Sequence, residues 1–316
     1  MSAVTVVIPT RNRRHALARA IASVQSQSLA DWELIVVDDA SNDDTAGWLG
    51  TLDEARLRVE RLLEHGERSR ARNHGLHLAR GAATLFLDDD DRLLPDALGN
   101  LHAALERFPD AVASVGPLRT VEADTRRRQP EFPRRSLLHD PWRELLAGWV
   151  AIGGQSLTRT SVLRNVGGYR SDLSVAEDQE LWLRLVDRGP VAFVPTPVLE
   201  HRPHGWMRDD PAGLGIEAEI RTSYIARQSG NHRQAAARAA AARPYLRVAD
   251  ISAQQGDFRT AARSLFRGLR QSPYLLVSPL IGRGLRRGLV TLSVAAGLPP
   301  AAALRLRSVV RSSRRR

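Results

Sequence analysis

Short runs of apolar, often β-branched residues alternate with segments of helical spacing through the first two-thirds of the chain. The apolar runs predict buried strands at residues 4–8, 34–37, 84–87 and 111–115. Apolar residues repeated every three or four positions predict helices at residues 15–29, 69–79, 95–108, 160–166 and 178–188. Such strands, separated by helices, are typical of a parallel sheet covered on both faces. The predicted fold class is therefore α/β.

Two stretches depart from this alternation. Residues 117–140 are polar and rich in arginine, and they contain Pro130 and Pro133, which predicts a loop near the site. After Gly213 only helical patterns remain, and residues 249–273 resemble one helix-turn-helix unit of the tetratricopeptide kind. The predicted organisation is an α/β domain at residues 1–212 followed by a small all-helical region at residues 213–316.

The composition excludes several chemistries. The 316 residues include 46 basic residues, all of them arginine, and no cysteine, and the formal net charge is +11. Without lysine there is no Schiff base, no P-loop lysine and no lysine of a phospho-receiver site. Without cysteine there is no disulfide, thiolate nucleophile or zinc–thiolate cluster.

The charge is unevenly distributed. Residues 1–199 hold 25 Arg and 28 acidic residues, whereas residues 200–316 hold 21 Arg and 7 acidic residues. The last acidic residue is Asp257, and 13 Arg follow it. A basic region of this kind attracts nucleic acid or an anionic lipid surface. The alternative is arginine-rich coding, which accounts for the identity of the bases but not for the missing acids.

Neither a secretory signal nor a membrane span is predicted. The N-terminus lacks a basic segment followed by an apolar core and a cleavage site. The window nearest to the ~18 apolar residues of a spanning helix is residues 289–306, which two prolines, Ser293 and Arg305 interrupt. We expect a cytoplasmic protein that can attach peripherally to the inner face of the cell membrane.

Three acidic clusters follow predicted strands or begin a predicted helix. They are Asp38 with Asp39, the run Asp88–Asp91, and Glu177 with Asp178. Parallel sheets bind ligands at the carboxyl ends of their strands, so the clusters are candidates for one site. Each has a structural alternative: a turn for the first, a solvated loop for the second and a helix N-cap for the third.

The run Asp88–Asp91 indicates a divalent cation. Four adjacent carboxylates raise one another's pKa unless a cation lies among them, and hard oxygen ligands favour Mg²⁺ or Mn²⁺. His204 follows Asp178 by 26 residues. It is an ordinary surface histidine or, if a metal is bound, a further ligand.

Several motifs occur together in one order along the chain. They are VTVVIPTRNR at residues 4–13, VVDDASNDDT at 36–45, ARNHG at 71–75, FLDDDD at 86–91, GGY at 167–169, AED at 176–178 and LWLRL at 181–185. Together these segments resemble family 2 glycosyltransferases of the GT-A fold, over about residues 3–206. The resemblance implies a mostly parallel, Rossmann-like sheet with flanking helices.

The resemblance also implies roles for individual residues. Those implied to bind the nucleotide sugar are Pro9, Thr10, Arg11, Asp39, Arg70, Asn73, Asp88 and Asp89. It implies a metal site for Mn²⁺ or Mg²⁺ at Asp90 and His204, and it makes Asp178 the general base. Because four aspartates are consecutive, a shift of one residue in this assignment stays open.

The activity implied is inverting transfer of a sugar from a nucleotide-diphosphate sugar to an acceptor hydroxyl, in surface polysaccharide or glycolipid biosynthesis. The implied acceptor is a glycan or a lipid-linked molecule, and the basic C-terminal region is a candidate for contact with an anionic membrane. No nucleic-acid partner is expected, because the acidic clusters would then have no role and no aromatic residue follows Tyr274.

Two further alternatives belong to related enzymes. A sugar-nucleotide nucleotidyltransferase would use a glycine-rich N-terminal loop with a lysine, whereas this loop runs from Ile8 to Asn12 without either. An inactive transferase of the same family stays open, although every expected acidic position is filled.

Overall fold

The structure is a computed structural model that describes residues 2–121, 136–139, 141, 150–202, 211–227, 242, 244–249, 251–252 and 255–271. The chain divides into two compact units, Met1–His204 and Gly205–Arg316. The boundary expected after residue 212 falls inside a helix, because the first described helix of the second unit begins at Pro211.

Strands and helices alternate through the first unit. The described strands are β1 (Val4–Thr10), β2 (Trp32–Asp38), β3 (Leu57–Arg61), β4 (Ala83–Phe86), β5 (Arg92–Leu93), β6 (Ala113–Val115), β7 (Leu118–Thr120), β8 (Leu137–Leu138), β9 (Ser156–Arg159), β10 (Val191–Phe193) and β11 (Leu199–His201). The described helices are α1 (Arg14–Gln25), α2 (Thr45–Leu49), α3 (Glu67–Leu78), α4 (Ala97–Arg107), α5 (Thr160–Asn165) and α6 (Glu177–Leu185). The four strands and five helices predicted from the sequence are all present, with ends that differ by a few residues.

Eight strands form one sheet in the order β3-β2-β1-β4-β9-β6-β10-β8. Strands β3, β2, β1 and β4 are parallel, as are β6 and β10, whereas β9 runs antiparallel between β4 and β6 and β8 runs antiparallel to β10. A second sheet has the order β5-β11-β7. The α/β class with a mostly parallel sheet is therefore confirmed.

Alternate residues of β1 face the two sides of the main sheet. Val4, Val6 and Ile8 belong to a hydrophobic cluster that includes residues of α1 and α4, whereas Val7 belongs to a cluster that includes residues of α3, α5 and α6. Burial on both faces explains why the sequence of this strand is an unbroken apolar run.

Strand β1 continues past Pro9, where the sequence pattern ended it. Pro9 pairs in register with Val37 of β2, while the pairing of β1 with β4 stops at Val7. A proline has no N–H to donate, but β4 does not extend alongside Pro9, so no ladder hydrogen bond is lost there. This extension carries Thr10 to the edge of the sheet.

The region expected to be a loop at residues 117–140 contains two short strands. β7 pairs with β11, and β8 pairs with β10, so both are strands of two or three residues at the margins of the sheets. Residues 122–135 and 140 lie outside the described part of this stretch. Strands this short leave no periodic signal, so the sequence pattern did not reveal them within the expected loop.

The described residues of the second unit are helical except for the turn at residues 255–257. Its helices are α7 (Pro211–Arg227) and α8 (Phe258–Gln271), and residues 244–249 are also helical. Ala261 and Leu265 of α8 pack against Leu246 and Ala249, across a turn at Gly256. This pair agrees with the predicted helix-turn-helix unit.

Candidate active site

The predicted site residues gather at the edge of the main sheet where parallel strands end. β1 ends at Thr10 and β2 at Asp38, and Asp88 follows two residues after the end of β4. Helix α6 begins at Glu177 and brings Asp178 to the same edge, within 4 Å of a guanidinium that also binds Asp88. Open α/β sheets bind their ligands at this edge.

Asp39 lies at the end of the site predicted to bind the nucleotide. Its N–H donates to the Thr10 carbonyl at 2.9 Å, its Oδ1 accepts from the Gly66 N–H at 2.7 Å, and its Oδ2 lies 2.6 Å from His65 Nδ1. The Arg70 side chain crosses Gly66, because a Cβ added there would lie 2.3 Å from Arg70 Cδ. Thr10, Asp39 and Arg70 are therefore neighbours.

Sequence reasoning missed His65 and Gly66, which belong to a polar segment without periodic pattern. Pro9 is buried within β1, and Arg11 is exposed just beyond the strand. Both residues therefore flank Thr10, the hydrogen-bond partner of Asp39. Pro9 is part of the buried sheet, and Arg11 lies at the surface.

The four aspartates of the run Asp88–Asp91 alternate between two environments. The side chains of Asp88 and Asp90 are 32% and 17% exposed, whereas those of Asp89 and Asp91 are 9% and 0% exposed. Asp88 and Asp90 therefore lie nearer the open edge. Asp89 and Asp91 are directed into the protein, and the shift of one residue in the assigned roles stays open.

The two buried aspartates hold the scaffold. Asp89 accepts from Thr10 Oγ1 at 2.8 Å and from Arg13 Nη1 at 3.2 Å, and Asp91 Oδ1 lies 2.9 Å from His201 Nδ1. Burial raises the pKa of Asp89 to about 6 and also raises the pKa of Asp91, against the effect of these partners. Asp89, which the resemblance assigned to ligand binding, is turned inward.

The two outer aspartates pair with arginines. Asp88 Oδ1 accepts from Arg72 Nη2 at 2.6 Å, and Asp90 accepts from Arg13 Nη1. Burial raises the pKa of Asp88, but the charge and hydrogen bond of Arg72, together with the charges of Arg68 and His201, leave that pKa below its usual value. The repulsion that suggested a metal is thus partly compensated by protein cations, so repulsion alone does not require a metal.

Arg72, on α3, is the central group of the site. Its side chain is 1% exposed, its Nη1 donates to Glu177 Oε1 at 3.3 Å and lies 3.8 Å from Asp178 Oδ1, and its Cζ lies 4.9 Å from the centre of the Tyr169 ring. Arg72 thereby joins the end of β4 to the beginning of α6. The ARNHG motif includes Arg72, but a binding role was predicted for Arg70 instead. Arg72 could have been recognised because it lies on the same helix face as the buried Leu76.

Asp178 lies in the first turn of α6. The residue before the helix is Ala176, so Asp178 does not occupy the N-cap position, and its Oδ1 instead accepts from the Tyr169 hydroxyl at 3.1 Å. Burial, with the nearby Glu177 carboxylate, raises the pKa of Asp178 to about 7, against the attraction of Arg72. This is a carboxylate suited to accept a proton near neutral pH.

Asn73 serves the protein's own backbone. Its Nδ2 donates to the Tyr169 carbonyl at 2.7 Å, and its Oδ1 accepts from the Tyr169 N–H at 2.8 Å. Both polar atoms of the amide are therefore used to hold residue 169, and the nucleotide contact implied for Asn73 stays a prediction.

Of the two predicted metal ligands, Asp90 and His204, only Asp90 is described. His204 lies outside the described residues, and among the residues that are described no group of three or more His, Asp or Glu side chains is arranged to hold an ion. Asp90 borders an open cleft of about 520 Å³, and its carboxylate is a hard oxygen donor of the type that Mg²⁺ and Mn²⁺ prefer. The donor chemistry therefore fits such an ion.

None of the described helices combines the length and the apolar character needed to cross a bilayer.

Comparison with known proteins identifies the class. A model of the family described as "Glycosyl transferase family 2" matches residues 5–167, which is more than half of the chain. The chain belongs to this family.

Its curated relatives are longer than the matched segments. An uncharacterised protein of Mycobacterium tuberculosis is 33% identical over 61% of this chain and 64% of its own length. A GalNAc(5)-diNAcBac-PP-undecaprenol beta-1,3-glucosyltransferase of Campylobacter jejuni is 39% identical over 32% of this chain and 34% of its own length. The chain thus spans less than two thirds of these relatives.

The fold matches solved transferases. Residues 1–349 of TarS from Staphylococcus aureus, in complex with UDP-GlcNAc, match with a TM-score of 0.69 at 17% identity, over 99% of this chain and 92% of that one. A mannosyltransferase of Pyrobaculum calidifontis, in complex with GDP-Man and Mn²⁺, matches with a TM-score of 0.55 at 18% identity, over 98% of this chain and 80% of that one. These likenesses establish the GT-A-like fold of the chain.

Replacing Arg72 with methionine should destabilise the protein by about 3–5 kcal/mol at pH 7, because three carboxylates would lose their buried cation. The deficit should narrow as the pH falls below 3.8, the ordinary Asp pKa, since Arg72 helps to hold the pKa of Asp88 below that value and the contribution is lost as the pH falls through the lowered pKa. Urea unfolding at several pH values measures this difference. Exposed Arg70→Met on the same helix is the control and should change stability by about 0.5 kcal/mol or less; equal effects of the two variants would contradict the central role of Arg72.

Proposed function

We propose that this protein is an inverting glycosyltransferase that moves a sugar from a nucleotide-diphosphate sugar to an acceptor hydroxyl. The observation that carries the proposal is Asp178, a largely buried carboxylate with a pKa of about 7 at the ligand-binding edge of the sheet. Arg72 links it to Asp88, so the proposed base and the donor side of the site share one buried cation.

The donor is proposed to bind across the ends of β1, β2 and β4. Asp39, with Thr10 and Arg70 beside it, would contact the nucleoside, and Asp88 would contact the ribose or the sugar. Because the chain has no lysine, we propose that arginine side chains neutralise part of the diphosphate charge. The candidates are Arg11, Arg13 and Arg70. The donors named for the relatives and fold neighbours differ, so the proposal extends to the class of donor only.

A divalent cation, Mn²⁺ or Mg²⁺, is proposed to bind at Asp90, with His204 as a second ligand. When bound, such an ion neutralises negative charge that develops on the leaving diphosphate. The carboxylate chemistry of the site and the Mn²⁺ in one fold neighbour support this proposal.

The chain's own residues would carry the proton transfer. Asp178 takes the proton of the acceptor hydroxyl while that oxygen forms a bond to the anomeric carbon. The bond from this carbon to the diphosphate oxygen breaks on the opposite face, which inverts the configuration in one displacement. A glycosidase would need a second carboxylic acid to protonate the leaving oxygen, and a diphosphate leaving group needs none.

The acceptor is proposed to be a glycan or a lipid-linked molecule in the biosynthesis of a surface polysaccharide or glycolipid. The Campylobacter jejuni relative and an Escherichia coli relative are both named for an undecaprenol-linked diphosphate. Such acceptors lie at the membrane, and we propose that the protein works on the inner face of the cell membrane.

The basic C-terminal region is proposed to contact anionic lipid there. Four arginines of α8 are exposed, and they are Arg259, Arg263, Arg267 and Arg270. Phe266, on the same helix, is 71% exposed, while Ala261 and Leu265 face the interior. An amphipathic helix with arginines and an exposed aromatic ring is suited to lie on an anionic bilayer. The arginines beyond residue 271 lie outside the described residues.

Asp178→Asn should lower kcat by about 10²- to 10⁴-fold, because the amide cannot accept the proton, while donor affinity stays nearly unchanged. Turnover of a nucleotide-sugar panel, with calorimetric titration of the donor, measures both quantities. Asp172→Asn is the control and should keep full activity, because Asp172 forms an exposed ion pair with Arg170. Preserved turnover in Asp178→Asn would refute its role as the base.

Asp90→Ala should abolish the part of nucleotide binding that depends on Mn²⁺ or Mg²⁺, because the outer carboxylate at the cleft is removed. Calorimetric titration of UDP and GDP with and without each ion measures this loss, and Asp110→Ala, exposed and outside the site, is the matched control. If the ion still increases affinity as in the parent protein, Asp90 does not hold it.

Replacing the four exposed α8 arginines with glutamine should weaken binding to phosphatidylglycerol-containing vesicles by about fivefold for each residue replaced. This factor corresponds to the binding free energy of about 1 kcal/mol that each arginine contributes near an anionic surface. Sedimentation with these vesicles and with pure phosphatidylcholine measures the effect. The control changes Arg58, Arg80, Arg107 and Arg188, which are exposed in the first unit. Deleting residues 272–316 gives a second arm, and unaltered binding in both arms would rule out this region as the membrane contact.

A further inference from the structure

Hydrogen bonds from other residues hold the main chain at Tyr169 in place. Asn73 donates to its carbonyl and accepts from its N–H, at 2.7 and 2.8 Å. Gly168 has a φ of +65°, and a Cβ there would lie 2.4 Å from Asn73 Oδ1, so glycine is required for this approach. Arg184 of α6 donates to the Gly168 carbonyl at 2.7 Å. Two helices, α3 and α6, therefore fix the backbone of residues 168–169.

The ring of Tyr169 is equally constrained. It meets Phe86 edge to face, with the ring centres 5.1 Å apart, and the Arg72 guanidinium lies 4.9 Å from its centre. The residue is 6% exposed. Because ring and backbone are both fixed, the hydroxyl can point in one direction only.

That hydroxyl donates to Asp178 Oδ1 at 3.1 Å. We propose that Tyr169 is a positioning residue for the base: it holds Oδ1 so that Oδ2 receives the proton of the acceptor. Among the described residues, the contacts to Asp178 from Tyr169 and Arg72 are both made to Oδ1. The proposal rests on the proposed function of Asp178 and adds a residue that the family motif does not assign to the base.

The hydroxyl also affects the charge of the base. Arg72 and the Tyr169 hydrogen bond favour the ionised form of Asp178, while burial, Glu177 and Asp88 disfavour it and leave its pKa near 7. Arg68, also on α3, lies 3.7 Å from Glu177 and so reduces that repulsion. Removal of the hydroxyl should therefore raise the pKa of Asp178 and allow its carboxylate group to rotate.

The test is Tyr169→Phe, which keeps the ring contacts with Phe86 and Arg72. The acid limb of the pH profile of kcat should move up by about one pH unit, and kcat at pH 7 should fall by about fivefold, because less of a base with a pKa near 7 stays ionised there. The donor KM should stay within about twofold of its parent value. Tyr245→Phe removes a hydroxyl from a residue that is equally buried in the second unit, and it should change none of these quantities.

Asn73→Ala is the second variant, because it releases the backbone of Tyr169 without altering the hydroxyl. It should move the acid limb in the same direction, again with little change in donor KM. A rise in donor KM with an unmoved limb would overturn the positioning role of Asn73 and support its contact with the nucleotide instead.

Two outcomes separate this inference from the function on which it rests. If Asp178→Asn abolishes turnover while Tyr169→Phe leaves the acid limb unmoved, the positioning role is wrong and the base is right. If Asp178→Asn keeps its turnover, the base itself is wrong and the inference falls with it.

Discussion

A single buried guanidinium holds the two halves of the site together. Arg72 reaches Asp88 at the end of β4 and Glu177 at the beginning of α6, and these two acids are 89 positions apart in the chain. Its planar fork offers several donors at once, so it can satisfy both carboxylates, whereas a point charge could not. Desolvation makes this cation costly to bury alone, and the acids around it offset the cost. The distance between the donor side and the proposed base is thereby fixed by electrostatics.

The fold could be predicted from local pattern to a large extent. Strands such as β1 and β2 are buried on both faces, so their apolar runs are unbroken and easy to recognise. Strands β8 and β9 gave no such signal, because β8 has only two residues and the four residues of β9 mix polar and apolar side chains. Their position depends on pairing with distant strands, which no local pattern encodes.

The positions of candidate acids could be predicted where they follow directly on a strand or helix end, as for Asp39, Asp88 and Asp178, while their roles stay predictions. The side chains that pair with these acids could not be predicted. Arg72 with Glu177 and Asn73 with Tyr169 are about a hundred positions apart, and only the assembled fold brings them into contact. The choice of Arg70 over Arg72 illustrates the difficulty, since the two lie two residues apart on α3 and differ mainly in which helix face they occupy.

The aspartate run shows how charge and geometry divide one motif between two tasks. Adjacent residues in an extended or turning backbone point in different directions, so Asp89 and Asp91 turn to Thr10 and His201 inside while Asp88 and Asp90 stay near the open edge. Because Arg13 contacts both Asp89 and Asp90, the same cation steadies an inner and an outer carboxylate. A cation arriving at Asp90 would compete with Arg13 for that carboxylate, whereas Asp89 and Thr10 would keep the backbone of the motif in place. The inner aspartates thus allow the outer ones to change partners without loss of the site's framework.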